Sequence, residues 1–175
     1  MARDYLGFVS RGVFYGLGLL QPVGETIKTG LLRAIEERLN EILEVAVVKR
    51  EEDIPADFTG LAMPALYCWE NEQAEPGSFN RLTLGKLDFW LEVFFVLDPD
   101  DLASFTAFKD AAATVAGRIA NLFAAPGELR AAGLILVEPG RVDQARYNSD
   151  YGVLFMAYQL TYGHAAGDAF ALTGG

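Results

Sequence analysis

The side chains of this 175-residue chain that could do chemistry are mostly carboxylates, in three groups: Glu51, Glu52, Asp53 and Asp57; Glu70, Glu72 and Glu75; Asp98, Asp100 and Asp101. Paired carboxylates hold divalent cations or share general acid and base duty. The first two groups fall in loops or at strand ends, where solvated charge is the ordinary state. The third stands where a helix begins and complements its dipole. Cys68 sits inside the aromatic stretch Tyr67-Cys68-Trp69, the setting of a buried, inert thiol. His164, the single histidine, follows the last apolar segment in a Gly- and Ala-rich tail that offers no orienting partner. Gly16-Leu17-Gly18-Leu19-Leu20-Gln21 starts like a dinucleotide fingerprint but lacks the third glycine and a preceding strand. No phosphate-binding loop, nucleophile elbow or zinc-protease spacing occurs. The residues predict no enzyme: no catalytic group, no cofactor and no metal.

Composition narrows the class further. With 51% hydrophobic and 22% charged residues, the chain is ordinary globular material for one domain. A lone cysteine excludes an internal disulfide framework and any multi-cysteine zinc site. Lys and Arg number 14 against 24 Asp and Glu, a net charge of −10, which argues against a groove that grips phosphates. Near the N-terminus Asp4, Ser10 and Arg11 interrupt the apolar run, a poor secretory signal. The longest uncharged stretches, 12–24 and 151–167, are too short or too strand-like for a membrane helix. The expectation is a cytoplasmic product with no membrane contact.

The elements that must position these residues follow from periodicity. Residues 1–25 form an apolar arm in which Gly7, Gly12, Gly16 and Gly18 weaken any free-standing helix. Ile27, Leu31, Ile35, Leu39 and Ile42 draw one stripe of a helix over Thr26–Glu44. Val45–Val48 reads as a strand, and the acidic loop from Glu51 to Asp57 follows. Met63–Glu70 is a strand that starts at an edge because of Pro64. Glu75-Pro76-Gly77-Ser78 breaks it. Leu87, Phe89, Leu91, Val93, Phe95 and Leu97 alternate as one buried face of a long strand. Asp98 as cap and Pro99 at the first helical position open a second helix, which Ala125-Pro126-Gly127 ends. Strands Leu134–Glu138 and Tyr151–Tyr162 flank a polar loop from Arg141 to Asp150. The prediction is a single α+β domain over 26–163, with a mostly antiparallel sheet of about five strands and two long helices. A loose tail, 164–175, follows.

Two strands carry more apolar surface than two helices cover. Trp90, Phe94 and Val96 form the second face of one; Tyr158 and Tyr162 lie on a last strand that is apolar on both sides. With Phe8 and Phe14 of the arm, these seven residues are the expected subunit interface.

The arrangement resembles the tail-terminator proteins of long-tailed bacteriophages. The likeness runs over residues 26–163: the amphipathic opening helix Ile27–Leu43, the loop after Val48, the aromatic strand Pro64–Glu72, the long strand entering a capped helix through Asp98-Pro99-Asp100-Asp101, and the closing strand Tyr151–Tyr158. It implies a virion structural protein in the tail or neck, made in the host cytoplasm. Such a protein forms a ring, hexameric in that family, that caps the tail tube and joins it to the head connector. Its partners would be its own copies, the tail tube protein and the connector, with DNA passing through unbound. Glu51, Glu52, Asp53 and Asp57 would then face the DNA channel. The alternatives are a head–tail joining or neck protein of the same region, and a small-molecule-binding or hydrolytic α+β domain.

Overall fold

The computed structural model describes residues 26–50, 52–55, 57–72, 77–79, 82–165 and 169. Helix α1, Ile27–Asn40, opens on Thr26, whose side chain accepts a hydrogen bond from the Thr29 N–H. It stops short of the expected Glu44. The Glu41 and Ile42 N–H groups donate to Arg38 and Leu39, three residues back, which tightens the final turn. Beyond it, strand β1 (Val47–Arg50) pairs in parallel with β2 (Ala65–Glu72). A short β3, Gly77–Phe79, pairs with the start of β4, Leu82–Val96. Helix α2 (Leu102–Ala124) and a one-turn α3 (Gly127–Ala131) lead into β5 (Leu134–Arg146) and β6 (Tyr151–Ala165). The sheet order is β1-β2-β4-β6-β5 and every pairing except β1 with β2 is antiparallel. The α+β class, the mostly antiparallel sheet and the two long helices agree with the sequence reading.

Several boundaries differ for physical reasons. Helix α2 begins at Leu102, with Asp101 as its cap accepting from the Ala103 N–H at 2.8 Å. Asp98 instead closes the preceding turn by accepting from the Asp100 N–H. The segment read as a polar loop from Arg141 is strand as far as Arg146, and only the turn before Tyr151 remains. Its apolar alternation is hidden by an irregularity between Pro139 and Val142 that shifts the register against β6. β6 itself continues through His164, which is therefore a strand residue opposite Thr83 and not part of a tail.

One core results. Leu87, Phe89, Leu91, Val93 and Phe95 of β4 lie beside Leu160, Tyr158, Met156 and Leu154 of β6, and both helices cover this inner face. Helix α1 contributes Leu31, Leu32, Ile35 and Leu39; α2 contributes Phe108, Ala112, Val115, Ile119 and Phe123. Two cross-strand positions must be glycine for this packing. A Cβ on Gly85 would fall 2.2 Å from the Tyr162 ring, and one on Gly152 would fall 2.9 Å from Phe108.

Gly85→Ala should therefore cost about 1–3 kcal/mol through overpacking, although alanine favours a strand more than glycine does. In a Tyr162→Ala background that cost should vanish. Urea denaturation of the two single variants and the double variant measures the coupling, expected to exceed about 1 kcal/mol.

Candidate functional site

The sheet's outer face is where the candidate residues meet, and it is divided in two. Over one half lies the chain between β1 and β2. Phe58 packs on Phe94 and Tyr151, with ring centroids 4.7 and 4.8 Å apart. Ile54, Leu61 and Met63 add to a second apolar cluster around Phe58, Ala65, Tyr67 and Phe94. Gly60, at φ +82°, turns the loop back toward the sheet. The acidic loop is thus a fastened cover.

Its carboxylates are spent unequally. Glu52 pairs with Lys49 at 3.1 Å. Asp57 accepts from the Thr59 hydroxyl at 2.7 Å and from its N–H at 2.9 Å, and those bonds hold its carboxyl below the usual range. Asp53 is exposed and makes no such bond, while Glu51 lies outside the described residues.

No described residue covers the other half of the outer face. Trp90 stands opposite Ala157, with Pro139 and Gly140 of β5 beyond it, and these residues line a groove of about 410 Å³ rimmed by Asp88, Glu138 and Gln159. One rung along, Glu92 lies between Tyr67 on β2 and Phe155 on β6. It is half-buried, makes no hydrogen bond or ion pair with the described residues, and burial raises its pKa above the ordinary carboxylate value.

Of the seven expected interface residues, the structure leaves two at the surface. Val96 is 62% exposed and Trp90 is half-buried in the groove. Phe94, Tyr158 and Tyr162 are corrected: each is buried within the subunit. Phe94 lies under Phe58, Tyr158 packs against Phe123 at 4.6 Å between centroids, and Tyr162 covers Gly85. Phe8 and Phe14 lie outside the described residues. Missed from the sequence were Ile135, Leu136 and Val142, each about half exposed on β5, a strand that among the described residues pairs on one side only. Leu43, 94% exposed just before β1, was also missed. It followed the helical periodicity that the chain abandons after Asn40.

The remaining reactive groups have structural partners. Cys68 is buried and its thiol donates to the Lys49 carbonyl. The His164 ring nitrogen Nδ1 lies 2.9 Å from the Ala165 carbonyl. Glu70 pairs with Arg50 at 3.2 Å, holding β2 to β1. Glu44 pairs with Arg118 through one carboxylate oxygen, and the other is buried without a partner beside a cleft of about 290 Å³. Among the described residues no three His, Cys, Asp or Glu side chains converge as a metal site requires, and no helix is long and apolar enough to cross a membrane.

No protein-family model matches this chain, and neither does any curated protein. Among solved structures it is similar to a chain from the virion of a native gene transfer agent (GTA) particle, with a TM-score of 0.37 and 16% identity. The match covers 79% of this chain and 92% of that one.

The correction at Tyr158 has a pH signature. Burial pushes its phenol up to about 12. The unfolded chain releases that proton near pH 10, so from there the unfolded state holds fewer protons and stability falls as pH rises toward 12. Tyr158→Phe should flatten this part of the alkaline decline in urea melts between pH 9 and 12. An equally steep decline in the variant would place Tyr158 in solvent.

Proposed function

We propose that this protein is a ring-forming structural subunit of a phage-like virion, a tail terminator that caps the tail tube and joins it to the head connector. The observation that carries the reading is the β5 edge. Thirteen residues long, this strand has one side of its backbone unpaired among the described residues and shows Ile135, Leu136 and Val142 at its surface. Long apolar edges are templates for pairing with another chain. A contact that joins this edge to a different surface of the next copy is heterologous, and such contacts form a ring when the rotation between copies closes and an open filament when it does not. Leu43, four residues ahead of the strand at the opposite edge, offers a second apolar point.

The test is assembly. Negative-stain imaging of the purified protein, or of particles carrying it, should show rings. Leu136→Glu should abolish them while shifting folding stability by no more than about 0.5 kcal/mol, as surface changes do. A parent protein that stays monomeric at high concentration and decorates no particle overturns the proposal.

In the same reading the cover over β2 lines the DNA passage, where carboxylates repel passing phosphates. Asp53 is the group best placed to act, because Glu52 and Asp57 are already bonded. Glu52→Lys with Asp53→Lys should slow DNA ejection from particles whose rings and tails are normal in number. Ejection at the parent rate would put this loop outside the channel.

A further inference from the structure

We infer that the sheet runs on from copy to copy: β5 of one subunit pairs antiparallel with β1 of the next, Asp143 beside Lys49. This seam presupposes the ring proposed above. Among the described residues both strands pair on one side only, and they lie at opposite edges of the sheet. Their directions decide how copies can join. β1 runs with β2, and three antiparallel pairings separate β2 from β5, so β1 and β5 run in opposite senses. Rotation about an axis along the strands keeps those senses unchanged from copy to copy. The two edges then meet antiparallel in every seam, by a contact that is heterologous.

The register follows from the rows of the sheet. Lys49 is level with Tyr67, Tyr67 with Glu92, Glu92 with Phe155, and Phe155 with Asp143. Copies related by pure rotation stand at one height, so the row that ends at Asp143 resumes at the next copy's Lys49. Within its own subunit Lys49 holds Glu52 at 3.1 Å and Asp143 holds Arg141. Brought together, Glu52, Lys49, Asp143 and Arg141 alternate in sign across the seam. Opposite charges at facing positions stabilise a strand pair, and like charges disfavour it.

A second contact falls into line on the helix side. The Ala46 N–H donates to the Pro64 carbonyl, and the same row count sets Ala46 level with Arg146. Arg146 lies over the Phe105 ring at 4.9 Å and Lys109 at 5.0 Å, and neither makes an ion pair with a described residue. Just ahead of Ala46 stands Leu43, 94% exposed. Around it three carboxylates, those of Glu41, Glu44 and Glu128, share the guanidiniums of Arg38 and Arg118. Phe105 of the neighbouring copy offers Leu43 an apolar surface, and the two cations on that ring meet the excess negative charge.

Two experiments on the full chain test the seam. In Lys49→Cys with Asp143→Cys, the two thiols of one chain are four strand spacings apart, about 19 Å, too far for a disulfide. Any link must therefore join chains, and buried Cys68 does not compete. Oxidised rings of this variant should give a ladder on a non-reducing gel that passes two chains and ends at the ring's subunit number. Links that stop at two overturn the seam, as a β5 edge paired with another β5 edge would give. Rings without links overturn the seam and leave the ring standing, whereas a parent that forms no ring overturns both. Should the double variant fail to fold, charge reversal decides. Lys49→Asp and Asp143→Lys should each raise the concentration needed for assembly about tenfold, because each sets like charges together. Mixed in equal amounts they should assemble near the parent concentration, since alternating the two variants restores opposite charges at each seam of an even-numbered ring. No loss in the single variants, or a loss that mixing does not repair, overturns the contact between Lys49 and Asp143.

Discussion

The pairing of β4 with β6 is the constraint from which the rest of the subunit follows. Each strand is 15 residues long and they match in an uninterrupted antiparallel register from Leu82 against Ala165 to Val96 against Tyr151. Because side chains alternate, that register sends Phe89 and Tyr158, Leu91 and Met156, and Val93 and Leu154 to one face together. Each such side chain gains roughly 1.5–3 kcal/mol on full burial. The inner face therefore dominates the energetics and claims both long helices. Gly85 and Gly152 relieve its two ends, where Tyr162 and Phe108 need the space of a missing side chain.

Once the helices are committed to that face, the outer face has only loop to cover it. Phe58 fastens the chain between β1 and β2 over Phe94 and Tyr67, which accounts for one half. Among the described residues, nothing covers the groove at Trp90 or pairs with the outer side of β5. These surfaces differ in kind. The groove is concave and apolar at Trp90, Ala157 and Pro139. The edge offers backbone hydrogen bonds of the kind that pair a strand with another chain.

Much of this was legible in the residues. The stripe from Ile27 to Leu39 and the alternation from Leu87 to Leu97 located α1 and β4, since those patterns report burial on one side directly. Alternation says nothing about which face a helix will take. Tyr158 and Tyr162 read as interface for that reason: both faces of β6 are apolar, and only the partner strand and helix α2 decide between them. Phe94 was misplaced because its cover, Phe58, sits in a loop with no period of its own. β5 was truncated at the point where the register shift near Pro139 breaks the pattern of two. The acidic loop was found, but the roles of its carboxylates depend on Lys49 and Thr59, contacts that the sequence does not announce.

Charge supplies the last link between fold and assembly. A chain at −10 repels its own copies as well as nucleic acid. For subunits to associate, that repulsion must be low where they touch. Within β5 the charges are Glu138, Arg141, Asp143 and Arg146, two of each sign, so the edge is locally neutral on an acidic molecule. Arg141 pairs with Asp143, and Arg146 lies over the Phe105 ring at 4.9 Å, which keeps both cations at the edge. Beyond a Debye length of about 8 Å at physiological salt the excess carboxylates elsewhere are screened from such a contact. In the proposed ring, the same separation lets Asp53 repel a passing polyanion while subunits meet through a neutral, apolar seam. In the proposed assembly an acidic protein closes around DNA without binding it, because attraction is assigned to the β5 edge and repulsion to the loop between β1 and β2.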